Sequence, residues 1–228
     1  MAEKPTEELT PSDLGTLEYW ERTYSLEIDN FEDHGDVGEV WFGTDSSAKV
    51  VRFVTTKLNL SKETDKIIDL GCGNGMMLVD LAKAGFKRLT GVDYSQKAID
   101  LAKKVLKEEG FPEVDLRVHD IVDPAGTAED FVFRLAHDKG TYDAVSLHPD
   151  NPKENREKYI KNLHKILEDK GVLALTSCNW TKAELIEHFK DYFEFSTELP
   201  TKTFSFGGQT GNTITQLVFI KKLRQINK

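Results

Sequence analysis

Two cysteines in 228 residues cannot build a disulfide framework, and with the scattered histidines they form no metal-binding set. No apolar run approaches the roughly 18 residues that a membrane span needs. The N-terminus lacks the charged-then-apolar pattern of a signal peptide, so the expected location is the cytoplasm. Positive charge is also scarce: 30 Lys and Arg against 39 Asp and Glu give a formal net charge of −9. That balance disfavours a nucleic-acid backbone as the main partner, because neutralising phosphates takes net Lys and Arg. It suits a basic protein surface. Internal repeats and low-complexity segments are missing as well. What is present is ordinary core material, with 39% of residues hydrophobic, which excludes a wholly disordered chain. A single domain of this length buries roughly 70–75% of its unfolded surface, so a monomer needs no staples.

Residues 1–13 carry two prolines and few apolar groups, and a disordered tail is expected there. Residues 14–228 read as one domain. Within 14–60, Thr16 can cap a helix that places Trp20 and Tyr24 on one face at i,i+4. A polar stretch from Asp29 to Gly38 precedes Val40, Trp41, Phe42 and Gly43. Asp45 or Ser46 can then cap a second helix that buries Val50, Val51, Phe53, Val54 and Leu58.

From Lys66 to the end the pattern alternates between strand and helix. Strands are expected at 67–70, 89–93, 114–118, 142–147 and 172–176, with helices between them and a short helix around 131–135. Thr181 and Glu184 form a capping box for a last helix through Phe189. Two strands, 193–199 and 214–222, follow with no helix between them, joined by a loop over 201–213. Five strand–helix steps and a terminal strand pair describe an α/β fold. Its sheet is mostly parallel, with one antiparallel strand near the C-terminal end.

The sharpest motif is Ile67-Ile68-Asp69-Leu70-Gly71-Cys72-Gly73-Asn74-Gly75, a strand entering a glycine turn before a helix. Glycines let the backbone lie against a ligand with no Cβ in the way. The dinucleotide fingerprint would need glycine at position 76, where Met76 stands, so the turn suits a single nucleoside and disfavours a nicotinamide cofactor. Asp93, ending the second strand 22 residues after Gly71, is placed to accept from both ribose hydroxyls. Asp120, ending the third, can take an adenine amino proton with Ile121 against the ring.

Asp-Leu-Gly-Cys-Gly-Asn-Gly, Val-Asp-Tyr-Ser and His-Asp-Ile resemble the first three motifs of the seven-strand, S-adenosylmethionine-dependent methyltransferases, whose fold is Rossmann-like. Asp69 and Tyr94 enter the expected cofactor set as members of those motifs. Within that superfamily the chain is similar to the lysine methyltransferases of translation elongation factor 1-alpha. The matching segments are Gly35-Asp36-Val37-Gly38-Glu39-Val40-Trp41-Phe42-Gly43, Asp138-Lys139-Gly140-Thr141-Tyr142-Asp143-Ala144, Pro149-Asp150-Asn151, Ser177-Cys178-Asn179-Trp180-Thr181 and Phe204-Ser205-Phe206-Gly207-Gly208. The resemblance runs from about residue 14 to about 220. His148 departs from it, standing where asparagine is expected.

The resemblance implies S-adenosyl-L-methionine as cofactor and a protein substrate, elongation factor 1-alpha. It also implies an N-terminal lid over the methionine end of the cofactor, formed by Trp20, Tyr24 and Trp41, with Lys139 at the same site. Aromatic faces suit a sulfonium. Plain core packing for the aromatics and a solvated loop charge for Lys139 are the alternatives. Residues 146–151 are expected to leave the fourth strand where amino-group methyltransferases carry Asn-Pro-Pro-Tyr. Asp150 and Asn151 then orient the amine, or Asp150 merely makes a turn after Pro149; His148 is the less favoured base. Trp180, Phe204 and Phe206 either flank a lysine stem or are buried under the loop. Cys72 and Cys178 read as small buried residues. A small-molecule methyltransferase and a non-catalytic cofactor-binding protein remain as rival readings.

Overall fold

The computed structural model describes residues 8–124, 131–201, 203–206 and 209–223. A 3-10 turn, Asp13–Gly15, leads into α1 (Leu17–His34) and α2 (Gly43–Thr56). β1 (Ile67–Leu70), α3 (Met76–Lys83), β2 (Leu89–Asp93), α4 (Gln96–Glu108) and β3 (Asp115–Val118) follow. Then come β4 (Phe133–Lys139), α5 (Thr141–Ser146), α6 (Pro152–Ile166), β5 (Leu167–Ser177), α7 (Lys182–Phe189) and β6 (Phe193–Glu198). A hairpin, β7 (Thr203–Phe206) and β8 (Gln209–Asn212), precedes β9 (Thr215–Lys221).

The main sheet has seven strands in the order β3-β2-β1-β4-β5-β9-β6. Every neighbouring pair from β3 to β5 is parallel, and β9 lies antiparallel between β5 and β6. The α/β sheet with an antiparallel strand near its C-terminal end is therefore as expected. Strand order reverses between β1 and β4, which opens a crevice at the strands' C-terminal ends.

Alternation along the strands divides the core in two. Ile67 and Leu135 face α1, α2, α3 and α4, where Val54, Leu78, Leu81, Ile99 and Val105 are fully buried. Ile68, Leu70 and Ala136 face the other way, onto Tyr142, Tyr159, Leu163, Leu185 and Phe189. Each such aliphatic contributes about 1.5–3 kcal/mol, so the two layers hold the strand ends rigidly. Caps fix where helices start: Ser95 Oγ accepts from the Ala98 N–H, and Thr181 with Glu184 forms the expected capping box.

Four local expectations are corrected. The fourth strand is 133–139, and residues 141–146 wind as a helix instead; no helix forms at 131–135. Buried His137 and Asp138 disguised the strand, because the partners that hold His137 Nδ1 and the Asp138 carboxyl come from elsewhere in the chain. His137 Nδ1 lies 2.6 Å from Asp69 Oδ1, and the Asp138 carboxylate accepts from the N–H groups of Thr141 and Tyr142 and from the Tyr159 hydroxyl. Those bonds, with Gly140 at φ +90°, start α5. Second, α2 has no side-chain cap from Asp45 or Ser46: Phe42 heads it in the left-handed region at φ +62°, and Ser46 Oγ donates to the Gly43 carbonyl. Third, the segment 201–213 holds the hairpin β7–β8. Fourth, residues 1–7 lie outside the described residues, but from Glu8 on the chain is laid on the domain. Glu8 pairs with Arg156 at 2.7 Å, and the Ser12 N–H donates to the Leu147 carbonyl.

Candidate functional site

A cavity of about 470 Å³ opens at the C-terminal ends of β1, β2, β4 and β5. Gly71, Gly73, Asp93, Tyr94, Asp120, Ile121, Lys139, Trp20, Tyr24, Trp41, Asp150 and Asn151 all line it. Asp69 does not: its side chain is spent on His137 beneath the strand ends.

The floor is the glycine turn. Gly71 sits at φ +62°, and a Cβ there would meet Thr141 Oγ1 at 2.1 Å, while one at Gly73 would meet the Tyr24 hydroxyl at 2.8 Å. Only glycine permits both the turn and these close approaches. Thr141 Oγ1 donates to the Leu70 carbonyl at 2.6 Å, tying the exit of β4 to that of β1.

Asp93 is buried and accepts from the Gly73 N–H at 3.1 Å and the Ser95 N–H at 3.0 Å. A carboxylate has about four lone-pair positions, so two remain for ligand hydroxyls. Burial pushes its pKa up to about 6 against the pull of those two N–H groups. Asp120 Oδ1 takes the Val122 N–H at 2.8 Å, and Ile121 is buried beside it. His119, unforeseen in the sequence, also lines the cavity, and its Nε2 is buried without a hydrogen-bond partner. Desolvation keeps this imidazole below its ordinary pKa.

The opposite wall is aromatic. Trp20 stacks on Tyr24 at 5.7 Å between ring centres and meets Trp41 edge-on at 5.6 Å. Trp20 Nε1 donates to the Leu14 carbonyl, and Asn74 Nδ2 donates to the carbonyls of Val37 and Glu39, so the glycine turn holds the segment carrying Trp41. Burial lowers the Lys139 pKa, while the charges of Asp69, Asp138 and Glu39 oppose that shift. A carboxyl-bearing ligand end is what such a lysine can neutralise.

The segment expected to orient the amine lies elsewhere than expected. β4 ends at Lys139, so residues 146–151 do not leave that strand; Ser146 ends α5 and 147–151 follow it. Asp150 and Asn151 are exposed residues of the cavity rim, Asn151 with φ +50° at the head of α6. His148 Nδ1 accepts the Asp150 N–H at 3.0 Å. Asp143 was missed. It is buried, lines the cavity, and accepts from Ser177 Oγ at 2.5 Å and the Cys178 N–H at 2.8 Å. The available signal was an acid one turn into the helix after a strand, hidden by the misplacement of that strand. Trp180 is core: its Nε1 donates to Ser146 Oγ and its ring packs on His188 and Arg156. The side chains of Phe204 and Phe206 lie outside the described residues. Cys72 is buried as expected, but Cys178 is exposed.

Residues 61–219 match the family described as Methyltransferase domain. The chain is 44% identical to mouse EEF1A lysine methyltransferase 2, over 97% of this chain and 89% of the relative. It is 31% identical to the Saccharomyces cerevisiae protein-lysine N-methyltransferase EFM4, over 95% of this chain and 98% of that protein. Among solved structures, the N-methyltransferase NodS of Bradyrhizobium japonicum, in complex with S-adenosyl-L-homocysteine, superposes with a TM-score of 0.64 at 15% identity. It covers 89% of this chain and 98% of its own. That likeness is one of fold.

Proposed function

The chain belongs to the methyltransferase family of the protein-lysine methyltransferases, and from that premise we propose that it transfers methyl groups from S-adenosyl-L-methionine to a lysine ε-amine of translation elongation factor 1-alpha. The observation that carries the reading is one cavity with two unlike ends. Asp93 and Asp120 offer carboxylates for ribose hydroxyls and an adenine amino group, with Gly71 and Gly73 admitting the nucleoside against the backbone. Trp20, Tyr24, Trp41 and Lys139 offer aromatic faces for a sulfonium and a cation for the methionine carboxylate. The residues fit the group.

When bound, the cofactor supplies a methyl group on a positively charged sulfur that keeps the electron pair as the methyl departs. The protein's task is positioning, which brings the reacting atoms to roughly 3–3.5 Å. An ordinary lysine has a pKa of about 10.4, so the acceptor must shed a proton to water before it attacks. A sulfonium nearby and partial desolvation both favour that loss. The name of the mouse relative, matched over 97% of this chain, supports elongation factor 1-alpha as the substrate, and that of the yeast relative supports a protein lysine. We place the reaction in the cytoplasm, with the chain acting as a monomer of one domain over 14–228; none of the described helices is long and apolar enough to cross a membrane.

Incubation with methyl-labelled cofactor and a cell lysate tests the reading. The label is expected on elongation factor 1-alpha, at lysine, by mass spectrometry of the labelled protein. Label on nucleic acid or a metabolite, with none on lysine, overturns it.

A further inference from the structure

A second cavity, of about 550 Å³, lies beside the first. Its walls include Thr44 and Lys49 of α2, and Thr213 and Ile214 just before β9. Phe42 and Cys178 line both cavities, so the two adjoin at these side chains.

The residues at that junction form a connected set. Ring carbons of Phe42 stand 3.2–3.3 Å from where a Cβ on Gly140 would be, so the ring lies directly on the backbone that opens α5. Three residues on, Asp143 holds the Cys178 N–H at 2.8 Å. From the second cavity to the first, the junction thus presents an aromatic ring and, beyond Gly140, a carboxylate that lines the first cavity. Phe42 keeps this position in a left-handed backbone conformation, at φ +62°, which non-glycine residues rarely adopt. The arrangement matches one kind of side chain: a long apolar stem with a small cationic head.

We propose that the acceptor lysine enters from the second cavity between Phe42 and Cys178, its stem along the Phe42 ring and its amino group received by Asp143. The second cavity then holds the backbone of the substrate segment that carries this lysine. This rests on the reading of the protein as a lysine methyltransferase. Asp143 attracts the ammonium form and, after its proton has gone to water, orients the amine. The amine's lone pair forms the new N–C bond as the S–C bond breaks, and the sulfur keeps that electron pair. The net charge of −9 favours a cationic segment as occupant.

The test starts from the wild-type protein and its product. Thr44→Trp fills the second cavity without touching the first; we expect it to raise the KM for the protein substrate by about tenfold, with affinity for S-adenosylhomocysteine unchanged. Phe42→Ala should raise the same KM. Asp143→Asn should lower kcat by about tenfold or more at unchanged cofactor affinity, with Asp143→Glu recovering part of it. Unchanged protein KM in Thr44→Trp overturns the route. Wild-type kcat in folded Asp143→Asn overturns the role of that carboxylate, and if the variant does not fold, Thr44→Trp and Phe42→Ala decide. Failure of the lysine reading is seen separately, as wild-type product methylated on something other than lysine, and it removes the premise of this proposal.

Discussion

The two halves of the crevice are built by different means. Under β1, β2 and β3, the functional groups sit at strand ends and in the turns that leave them: Gly71, Gly73, Asp93 and Asp120 are placed by backbone geometry within a few residues of an apolar run. Under β4, β5 and β9, they sit one element further on, in α5 and in the head of the segment after β5, and long-range bonds place them. Asp143 is held by Ser177 and Cys178, which are 34 and 35 residues away in the chain. In the proposed reading the first half holds the cofactor that every such transfer needs, and the second, which has no comparable local signature, faces the acceptor.

If the acceptor half hangs on tertiary bonds, cutting one hub should hurt the fold more than any change in the cofactor half. Asp138 is that hub, joining the end of β4 to the first turn of α5 and to Tyr159 of α6. Its removal leaves three donors near or in the core, each costing about 1–3 kcal/mol when unpaired. Asp138→Ala should therefore lose about 3–9 kcal/mol of stability. Denaturant unfolding measures it, and a loss under 1 kcal/mol would show that α5 is held by packing alone.

The same contrast explains what the sequence disclosed. The order of β1, α3, β2 and α4 was legible because apolar runs there end in glycine or in a capping serine, and so were Asp93 and Asp120 as strand-end acids. The fourth strand was not. Phe133 to Lys139 contains an arginine, a histidine, an aspartate and a lysine, which no periodicity argument assigns to a central strand. His137 and Asp138 are tolerated because Asp69 and Tyr159 reach them from elsewhere in the chain. With the strand placed elsewhere, residues 146–151 do not leave it as expected, and Asp143, one turn into the next helix, went unnoticed. Asp69 failed for the mirror reason: its partner His137 was out of view. The resemblance to a family supplied Trp20, Tyr24, Trp41 and Lys139, which no spacing rule could have placed at the cavity.

On the cofactor half the expected effect is smaller and purely electrostatic. Asp93 titrates near pH 6 because it is buried, well above the ordinary 3.8. Above pH 6 it is ionised and can accept two hydroxyl protons; below, it loses acceptor capacity. Affinity for S-adenosylhomocysteine should fall about tenfold from pH 7.5 to pH 5, the ratio of ionised fractions around such a pKa. For the unliganded protein the sign is opposite. A raised carboxyl pKa means the native state holds the extra proton between pH 3.8 and 6, so this group's contribution to stability declines as pH rises through that window. Calorimetric titration of wild type and Asp93→Asn checks the assignment. The variant should bind at least tenfold more weakly at neutral pH, with a flat profile, given about 1.5–3 kcal/mol for a charge-assisted bond. A wild-type profile without an inflection near pH 6 would remove Asp93 from the ribose site.

The smallest effect is expected at the rim. Asp150 is exposed, its N–H goes to His148 Nδ1, and its carbonyl accepts from Asn155 Nδ2 at 3.0 Å. Those bonds shape the turn through the backbone and survive truncation of the side chain. What Asp150→Ala removes is a solvent-screened carboxylate at the cavity mouth, and exposed charge pairs are worth about 0–1 kcal/mol. We therefore expect turnover to fall by about two- to threefold with cofactor affinity unchanged, against tenfold or more for Asp143→Asn. Steady-state kinetics of the two variants on the same protein substrate rank them. Should Asp150→Ala prove the more damaging of the two, the acceptor amine is held at the rim. The passage past Phe42 would then lead away from the chemistry rather than toward it.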